Sequence, residues 1–164
     1  MEPLEPPALH LVKAAYGWLE LGNVPEALTE LQRLPADCRA LPGVRVARLD
    51  CLMAAKDWDA AAVLACDLCG EHPEEPGLWL HWAYAKRRCT EGNIETAYYI
   101  LSQRLDDFPD EWLIPYNLAC YLCQMDRLEE AQAMLDRARA QGGEKVEAMA
   151  REDEDLAALS RSQR

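Results

Sequence analysis

The chain has 164 residues, a formal net charge of −12 and a hydrophobic content of 50%. The acidic excess disfavours phosphate-bearing partners, because binding nucleic acid or an anionic membrane surface requires a basic face. No apolar stretch approaches the roughly 20 residues that span a bilayer, and residues 1–10 lack the basic start and cleavage site of a secretory signal. These features predict a cytoplasmic protein of the size of one domain.

Apolar residues recur three and four positions apart along most of the chain, which is the spacing of one face of an α-helix. Residues 1–7 contain Pro3, Pro6 and Pro7 and are expected to be loose. Few segments are rich in β-branched residues, so we expect an all-α fold without a sheet. The pattern predicts helices at about 8–21, 24–34, 43–56, 58–71, 77–90, 94–107, 111–125 and 128–140, with a connector at 37–42.

A repeat with a period near 34 residues organises these helices. A small residue marks the second helix of each pair, at Ala27, Ala61, Ala97 and Ala131, and the separations are 34, 36 and 34 residues. A small side chain at such a position lets two helices approach closely. Each anchor follows a turn-forming or polar pair: Gly22-Asn23, Lys56-Asp57, Gly92-Asn93 and Asp126-Arg127. Four such units predict a helical repeat array in which each unit is held by its neighbours.

The unit resembles the tetratricopeptide repeat. The matching residues are Ala15, Gly22 and Ala27, then Asp57-Trp58-Asp59, Ala61 and Pro73, then Ala85, Gly92-Asn93, Ala97 and Pro109, then Asn117-Leu118-Ala119, Ala131 and Ala138. The resemblance covers residues 8–141 and implies units at about 8–41, 42–77, 78–111 and 112–141. It also implies an α–α superhelix of four helix pairs, coiled in the right-handed sense. In the second unit Lys56 replaces the usual turn glycine, and Arg45 and Arg48 replace apolar residues.

Residues 142–164 are predicted to cap the array with a helix at about 144–151 and a short one at about 153–159. A repeat array needs a terminal element that covers the last unit and turns a polar face outward. The apolar stripe of the cap consists of Val146, Met149, Ala150, Leu156 and Leu159. The acidic run at 152–155 is interpreted as acid at a helix N-terminus rather than as a binding tail.

Seven cysteines raise the question of a metal site. Cys66 and Cys69 form one C-x-x-C pair, and Cys120 and Cys123 form another. Such a pair on a helix can chelate zinc, but the two pairs belong to different units and are not expected to share one ion. Cysteine packed as a small apolar side chain is the favoured interpretation, so we expect neither a metal nor another cofactor.

No constellation of residues predicts catalysis. His10, His72 and His81 belong to three different units, and no serine or aspartate is placed to complete a triad with any of them. The eight glycines are scattered at turns instead of forming a phosphate-binding loop. We therefore expect a protein that is not an enzyme.

The first helices of the pairs carry the candidate binding residues. In a coiled array they line the concave side, and here they place aromatic and aliphatic side chains where solvated faces usually carry Lys, Glu and Gln. The predicted groove consists of Tyr16, Leu19, Asp50, Met53, Trp79, Trp82, Lys86, Tyr116, Asn117, Cys120 and Gln124. The competing interpretation is that some of these residues pack between neighbouring units. The resemblance further implies that Asn117 holds the backbone of a bound peptide. Lys13 and Lys86 alone do not match the basic set with which some of these repeats clamp a peptide carboxylate.

We expect a scaffold or adaptor that binds an extended peptide or a helix in this groove. The alternatives are a chaperone that shields a hydrophobic segment of a client and a structural protein that self-associates. The negative charge either serves solubility or steers a partner with basic flanks. No nucleic acid or membrane partner is expected, and the sequence leaves the oligomeric state open.

Overall fold

A computed structural model describes residues 3–162, and over this range the chain forms eleven α-helices and one 3₁₀ turn without any strand. The predicted all-α class is confirmed. No helix in this range has both the length and the apolar character needed to cross a membrane. The helices are α1 (Ala8–Glu20), α2 (Val24–Gln32), α3 (Ala36–Arg39), α4 (Pro42–Ala55), α5 (Trp58–Glu71), α6 (Pro76–Lys86), α7 (Ile94–Ser102), α8 (Leu113–Gln124), α9 (Leu128–Gly142), α10 (Glu144–Glu152) and α11 (Ala157–Ser162), with the 3₁₀ turn at Glu154–Leu156.

The described residues form two compact units. The N-terminal unit runs to Ala85 and contains α1–α5 and most of α6, and the C-terminal unit begins at Lys86 and contains α7–α11. Each unit contains consecutive helices joined by short turns.

Three of the turns inside the helix pairs repeat one backbone geometry. After the first helix the chain enters the left-handed region at Gly22, Lys56 and Asp126, with φ of 73°, 57° and 59°. The next amide then donates to the carbonyl five positions back, as in a Schellman motif. The three bonds are Asn23 N to Trp18 O at 2.8 Å, Asp57 N to Leu52 O at 3.0 Å and Arg127 N to Leu122 O at 2.9 Å. The same turn geometry therefore occurs at three points of the described chain.

Side-chain caps start three of the second helices. Asn23, Asp57 and Asn93 each accept a hydrogen bond from the amide three residues further on, at 3.4, 3.2 and 2.7 Å. Each cap satisfies one of the amides that a helix N-terminus leaves unpaired, which typically contributes about 1 kcal/mol. These polar breaks in the sequence are thus helix starts.

The third pair departs from the prediction at its turn, because α6 ends at Lys86 rather than near residue 90. A Cβ added to Gly92 would lie only 1.7 Å from the Lys86 carbonyl oxygen and 2.8 Å from Cys89 Sγ. The chain therefore turns back onto the end of α6, and only glycine fits where it does so.

Two further boundaries differ from the prediction. α7 ends at Ser102 rather than near residue 107, and the Ser102 hydroxyl donates to the Tyr99 carbonyl at 3.0 Å, a local bond that weakens a helix. The predicted connector at 37–42 overlaps the single helical turn α3, which spans Ala36–Arg39. Asp37 lies in the first turn of α3, where a negative charge is favourable.

Small and branched side chains of α1, α2 and α4, together with Leu34 after α2, form a core cluster of the N-terminal unit. Its buried members are Ala8, Val12, Ala15, Ala27, Leu31, Leu34, Val44, Ala47 and Cys51. The repeat anchors Ala27 and Ala61 are 0% exposed, and in the C-terminal unit Ala97 and Ala131 are equally buried. The periodic alanines identified in the sequence are therefore sites of close packing.

The core of the C-terminal unit is built around α8, of whose twelve residues nine are buried. This helix packs against α7, α9 and the 3₁₀ turn. Val146, Leu156 and Leu159 of the predicted cap stripe are buried, whereas Met149 is 42% exposed. Most of the apolar stripe of residues 144–159 thus contributes to this core.

Candidate functional site

In the N-terminal unit, three first helices bring polar and aromatic side chains into one row. The Tyr16 hydroxyl on α1 donates to Asp50 Oδ2 on α4 at 2.7 Å, and Nε2 of His81 on α6 lies 3.7 Å from Asp50 Oδ1. Burial, followed by the bond to Asp50, raises the pKa of Tyr16, so its hydroxyl stays a donor. Because 38% of Tyr16 is exposed, the row borders solvent.

The other predicted groove residues of this unit are partly accessible. The rings of Trp79 and Trp82 lie 5.7 Å apart, and Trp79 Nε1 donates to the Pro73 carbonyl at 3.0 Å. Met53 is half-buried, while Leu19 packs against the core. Leu19 therefore follows the packing interpretation, whereas the two tryptophans present part of their rings at the surface.

In the C-terminal unit, the predicted groove face of α8 is covered by the chain itself. We call residues 153–156, which comprise Asp153 and the 3₁₀ turn, the C-terminal turn. The Tyr116 hydroxyl donates to Asp153 Oδ2 at 2.8 Å, and Cys120 Sγ lies 3.5 Å from the same oxygen. Gln124 Nε2 donates to the Asp155 carbonyl oxygen at 3.2 Å. Tyr116 and Cys120 are consequently buried instead of open to a partner.

An arginine that the sequence did not single out completes this contact. Arg87 Nη1 lies 2.5 Å from Asp155 Oδ2 and Nη2 lies 3.2 Å from Oδ1, so the guanidinium binds the carboxylate in the bidentate manner. Its bond to Asp155 raises the pKa of Arg87. The guanidinium carbon also lies 5.5 Å from the centre of the Tyr121 ring. The local pattern around Arg87 gives no signal of this role, because its partner is 68 residues away.

The two oxygens of Asp153 serve different partners. Oδ1 accepts from the Asp155 amide at 3.0 Å and caps the 3₁₀ turn, as the helix-acid interpretation of residues 152–155 anticipates. Oδ2 faces the Tyr116 hydroxyl, and that second role was not predicted.

The α8 face, together with the neighbouring Arg87, presents a set of hydrogen-bond donors. Burial is the main cause that raises the pKa of Tyr116 and of Cys120, and Asp153 reinforces it in both cases. Both groups therefore stay protonated, and Tyr116, Arg87 and Gln124 all donate to the turn. Such an arrangement can hold carboxylates and backbone carbonyls of a polypeptide.

Two further predicted site residues are Asn117 within α8 and Lys86 at the end of α6. Asn117 Nδ2 donates to the Leu113 carbonyl within α8 at 2.8 Å, so this amide donor already has an intrahelical partner. Lys86 is half-buried at the end of α6, where its carbonyl lies 3.6 Å from Cys89 Sγ.

The cysteine pairs occupy mixed environments. Cys66 is exposed while Cys69 is buried, and Cys120 and Cys123 are both buried. Between residues 3 and 162, no group of three or more His, Cys, Asp or Glu side chains is arranged as a metal site.

No protein-family model matches the chain, and no curated protein matches it.

Proposed function

We propose that the chain is a non-catalytic interaction scaffold that binds polypeptide segments on the faces of its first helices, which are α1, α4 and α6 in the N-terminal unit and α8 in the C-terminal unit. The observation that carries this proposal is the C-terminal turn bound to α8. Three predicted groove residues, Tyr116, Cys120 and Gln124, contact that turn. A face that already holds polypeptide through fixed donors has the chemistry that a peptide partner requires.

The N-terminal unit supports the proposal with a face on which Tyr16, Trp79 and Trp82 are partly exposed. Tyr16 and the tryptophan pair give rigid aromatic surface beside the carboxylate of Asp50, which is the composition of a binding hot spot. Asp50 and the net charge of −12 favour a partner with basic flanks at this face.

The resemblance to the tetratricopeptide repeat is part of this proposal. The buried alanine anchors and the recurring Schellman turns support it. All seven cysteines are free thiols, which suits the reducing cytoplasm in which we place the protein.

Selection of a displayed peptide library on the full chain tests the proposal. For a selected peptide, we expect Tyr16→Ala and Trp82→Ala to weaken binding at least about tenfold, since truncated hot-spot aromatics typically have such effects. The matched control is Tyr99→Ala on the second helix α7, because 65% of Tyr99 is exposed and its loss should leave affinity unchanged. Loss of binding in Tyr99→Ala together with retention in Trp82→Ala would move the site to the second helices.

The same protein preparations separate the two alternatives. If the protein self-associates, light scattering across a concentration series should show a mass that rises with concentration.

If the protein is a chaperone, it should bind unfolded clients in preference to any defined peptide. Failure to select a consensus peptide would favour this alternative.

A further inference from the structure

The C-terminal turn is held through two carboxylates and one leucine. Asp153 receives the Tyr116 hydroxyl, Asp155 pairs with Arg87, and Leu156 is only 2% exposed. Glu154 stands between the two aspartates and is exposed. The contact therefore involves the side chains of a pattern Asp-x-Asp-Leu, in which the second residue makes no required contact.

Arg87 and the donors of α8 favour a carboxylate over an amide at both aspartate positions. A planar guanidinium bound to two carboxylate oxygens is favoured over a bond to a neutral amide in both strength and geometry. Asp153 accepts two hydrogen bonds, from the buried Tyr116 hydroxyl at Oδ2 and from the Asp155 amide at Oδ1, whereas an asparagine has one acceptor oxygen and could satisfy only one of these donors. Gln124 binds a backbone carbonyl and so adds affinity without selecting a side chain.

The turn is also placed so that it can leave its site locally. Side chains of Arg87 and Asp155 remain 19% and 31% exposed, so water reaches the ion pair. Asp153 joins α10 to the turn with extended backbone angles, φ −82° and ψ 110°, and the helical hydrogen bonding of α10 stops there. Segments of this kind open with less free energy than the whole fold.

From these contacts we infer that the α8 face is a recognition site for an acidic turn of the pattern Asp-x-Asp-Leu on a partner protein, with the chain's own C-terminal turn as the competing occupant. This inference rests on the proposed function, because it assigns the partner chemistry to one of the proposed peptide-binding faces. The partner can bind only those chains in which the turn has left the face. Its apparent dissociation constant is therefore the intrinsic one divided by the fraction of chains with an open face.

The net charge of −12 does not prevent an acidic ligand from binding here. At physiological ionic strength, charges more than about 8 Å apart are largely screened from each other. The attraction that matters is the Arg87–Asp155 contact at 2.5 Å, which lies well inside this distance.

The test uses the full chain and a fluorescent peptide with the sequence of residues 152–159, EDEDLAAL, followed by fluorescence anisotropy. We expect the Asp153→Asn, Asp155→Asn double variant to bind this peptide at least about tenfold more tightly than the native chain, because its own turn has lost both carboxylates. Adding Arg87→Gln to the double variant should abolish the gain. Adding Arg151→Gln, which removes the same charge from an exposed position on α10, should preserve it.

A peptide with both aspartates replaced, ENENLAAL, is the specificity control and should not bind. The inference is overturned if the folded double variant binds EDEDLAAL no better than the native chain, or binds both peptides alike. Hydrogen exchange of the native chain gives a second measurement that needs no variant. Excess EDEDLAAL should speed exchange of the amides of residues 154–159, and unchanged exchange at saturating peptide would mean that the turn is a structural cap only.

Failure here is distinguishable from failure of the proposed function. If the folded double variant fails to bind EDEDLAAL while a library-selected peptide still binds in a manner that depends on Trp82, the scaffold proposal stands and only this inference is removed.

Discussion

Tyr116 and Asp153 lie 37 residues apart in the sequence, and the hydroxyl of the first donates to the carboxylate of the second at 2.8 Å. This bond ties the central helix of the C-terminal unit to the segment that covers it. It also turns a predicted groove residue into part of an intramolecular contact.

Tyr116→Phe should lower the free energy of unfolding by about 1–2 kcal/mol, because it removes a hydrogen bond to a charged group while keeping the ring. Urea denaturation of the full chain measures the change. Tyr99→Phe is the matched control, since this tyrosine is largely exposed on α7 and should change stability by less than about 0.5 kcal/mol. Equal midpoints for the two variants would show that the Tyr116 hydroxyl does not help to hold the turn.

Lys56→Gly should raise the free energy of unfolding by about 0.5–1 kcal/mol. Lys56 has φ 57° and ψ 27°, a left-handed conformation that costs a non-glycine residue about 1–2 kcal/mol, part of which the greater unfolded-state entropy of glycine offsets. The same substitution at Lys13, exposed on α1, should instead cost about 1 kcal/mol. Thermal or urea unfolding of the two variants should therefore give shifts of opposite sign, and shifts of the same sign would contradict the assigned turn geometry.

Alkylation should distinguish the cysteines by their environments. Cys51 is fully buried, and burial, followed by the charge of Asp50, raises its pKa to about 11 from the ordinary 9.0. Thiolate is the reactive form, so at pH 8 a folded chain treated with iodoacetamide should label exposed Cys66 well before Cys51. Mass spectrometry of the digested protein reads the order, and early labelling of Cys51 would contradict its burial.

The same pKa shift predicts how stability depends on pH. Because the folded state favours the neutral thiol, the contribution of Cys51 is fully present below pH 9.0 and is lost as the pH rises through about 11. Cys51→Ala lacks this titration, so its free energy of unfolding should fall less steeply than that of the native chain between pH 8 and 11. Parallel curves would mean that Cys51 ionises as easily in the folded chain as in the unfolded one.

The parts of the fold that the sequence predicted are those encoded by local spacing. The alanines at a period near 34 and the polar pairs before them mark helix packing and helix starts, and both depend on residues a few positions apart. The boundary of α6 was missed because it depends on the approach of Gly92 to the Lys86 carbonyl, a tertiary feature that no helical periodicity reports.

The candidate site was predicted only in part for a related reason. Tyr116, Cys120 and Gln124 share one face of α8 by their spacing, so the face could be identified from the sequence. The covering turn and Arg87 are brought there by contacts across 31 to 68 residues, and an acidic run near a chain end has the same pattern whether it caps a helix or binds an arginine. Asn117 matched the repeat motif, yet its amide donates within its own helix.

Hydrogen exchange of the full chain, with and without a library-selected peptide, tests most directly whether the first-helix faces are the binding surface. The scaffold proposal predicts slower exchange on peptide binding in α1, α4, α6 or α8, with α2, α5, α7 and α9 unchanged. Protection confined to α2, α5, α7 or α9 would contradict it and place the partner on the second helices.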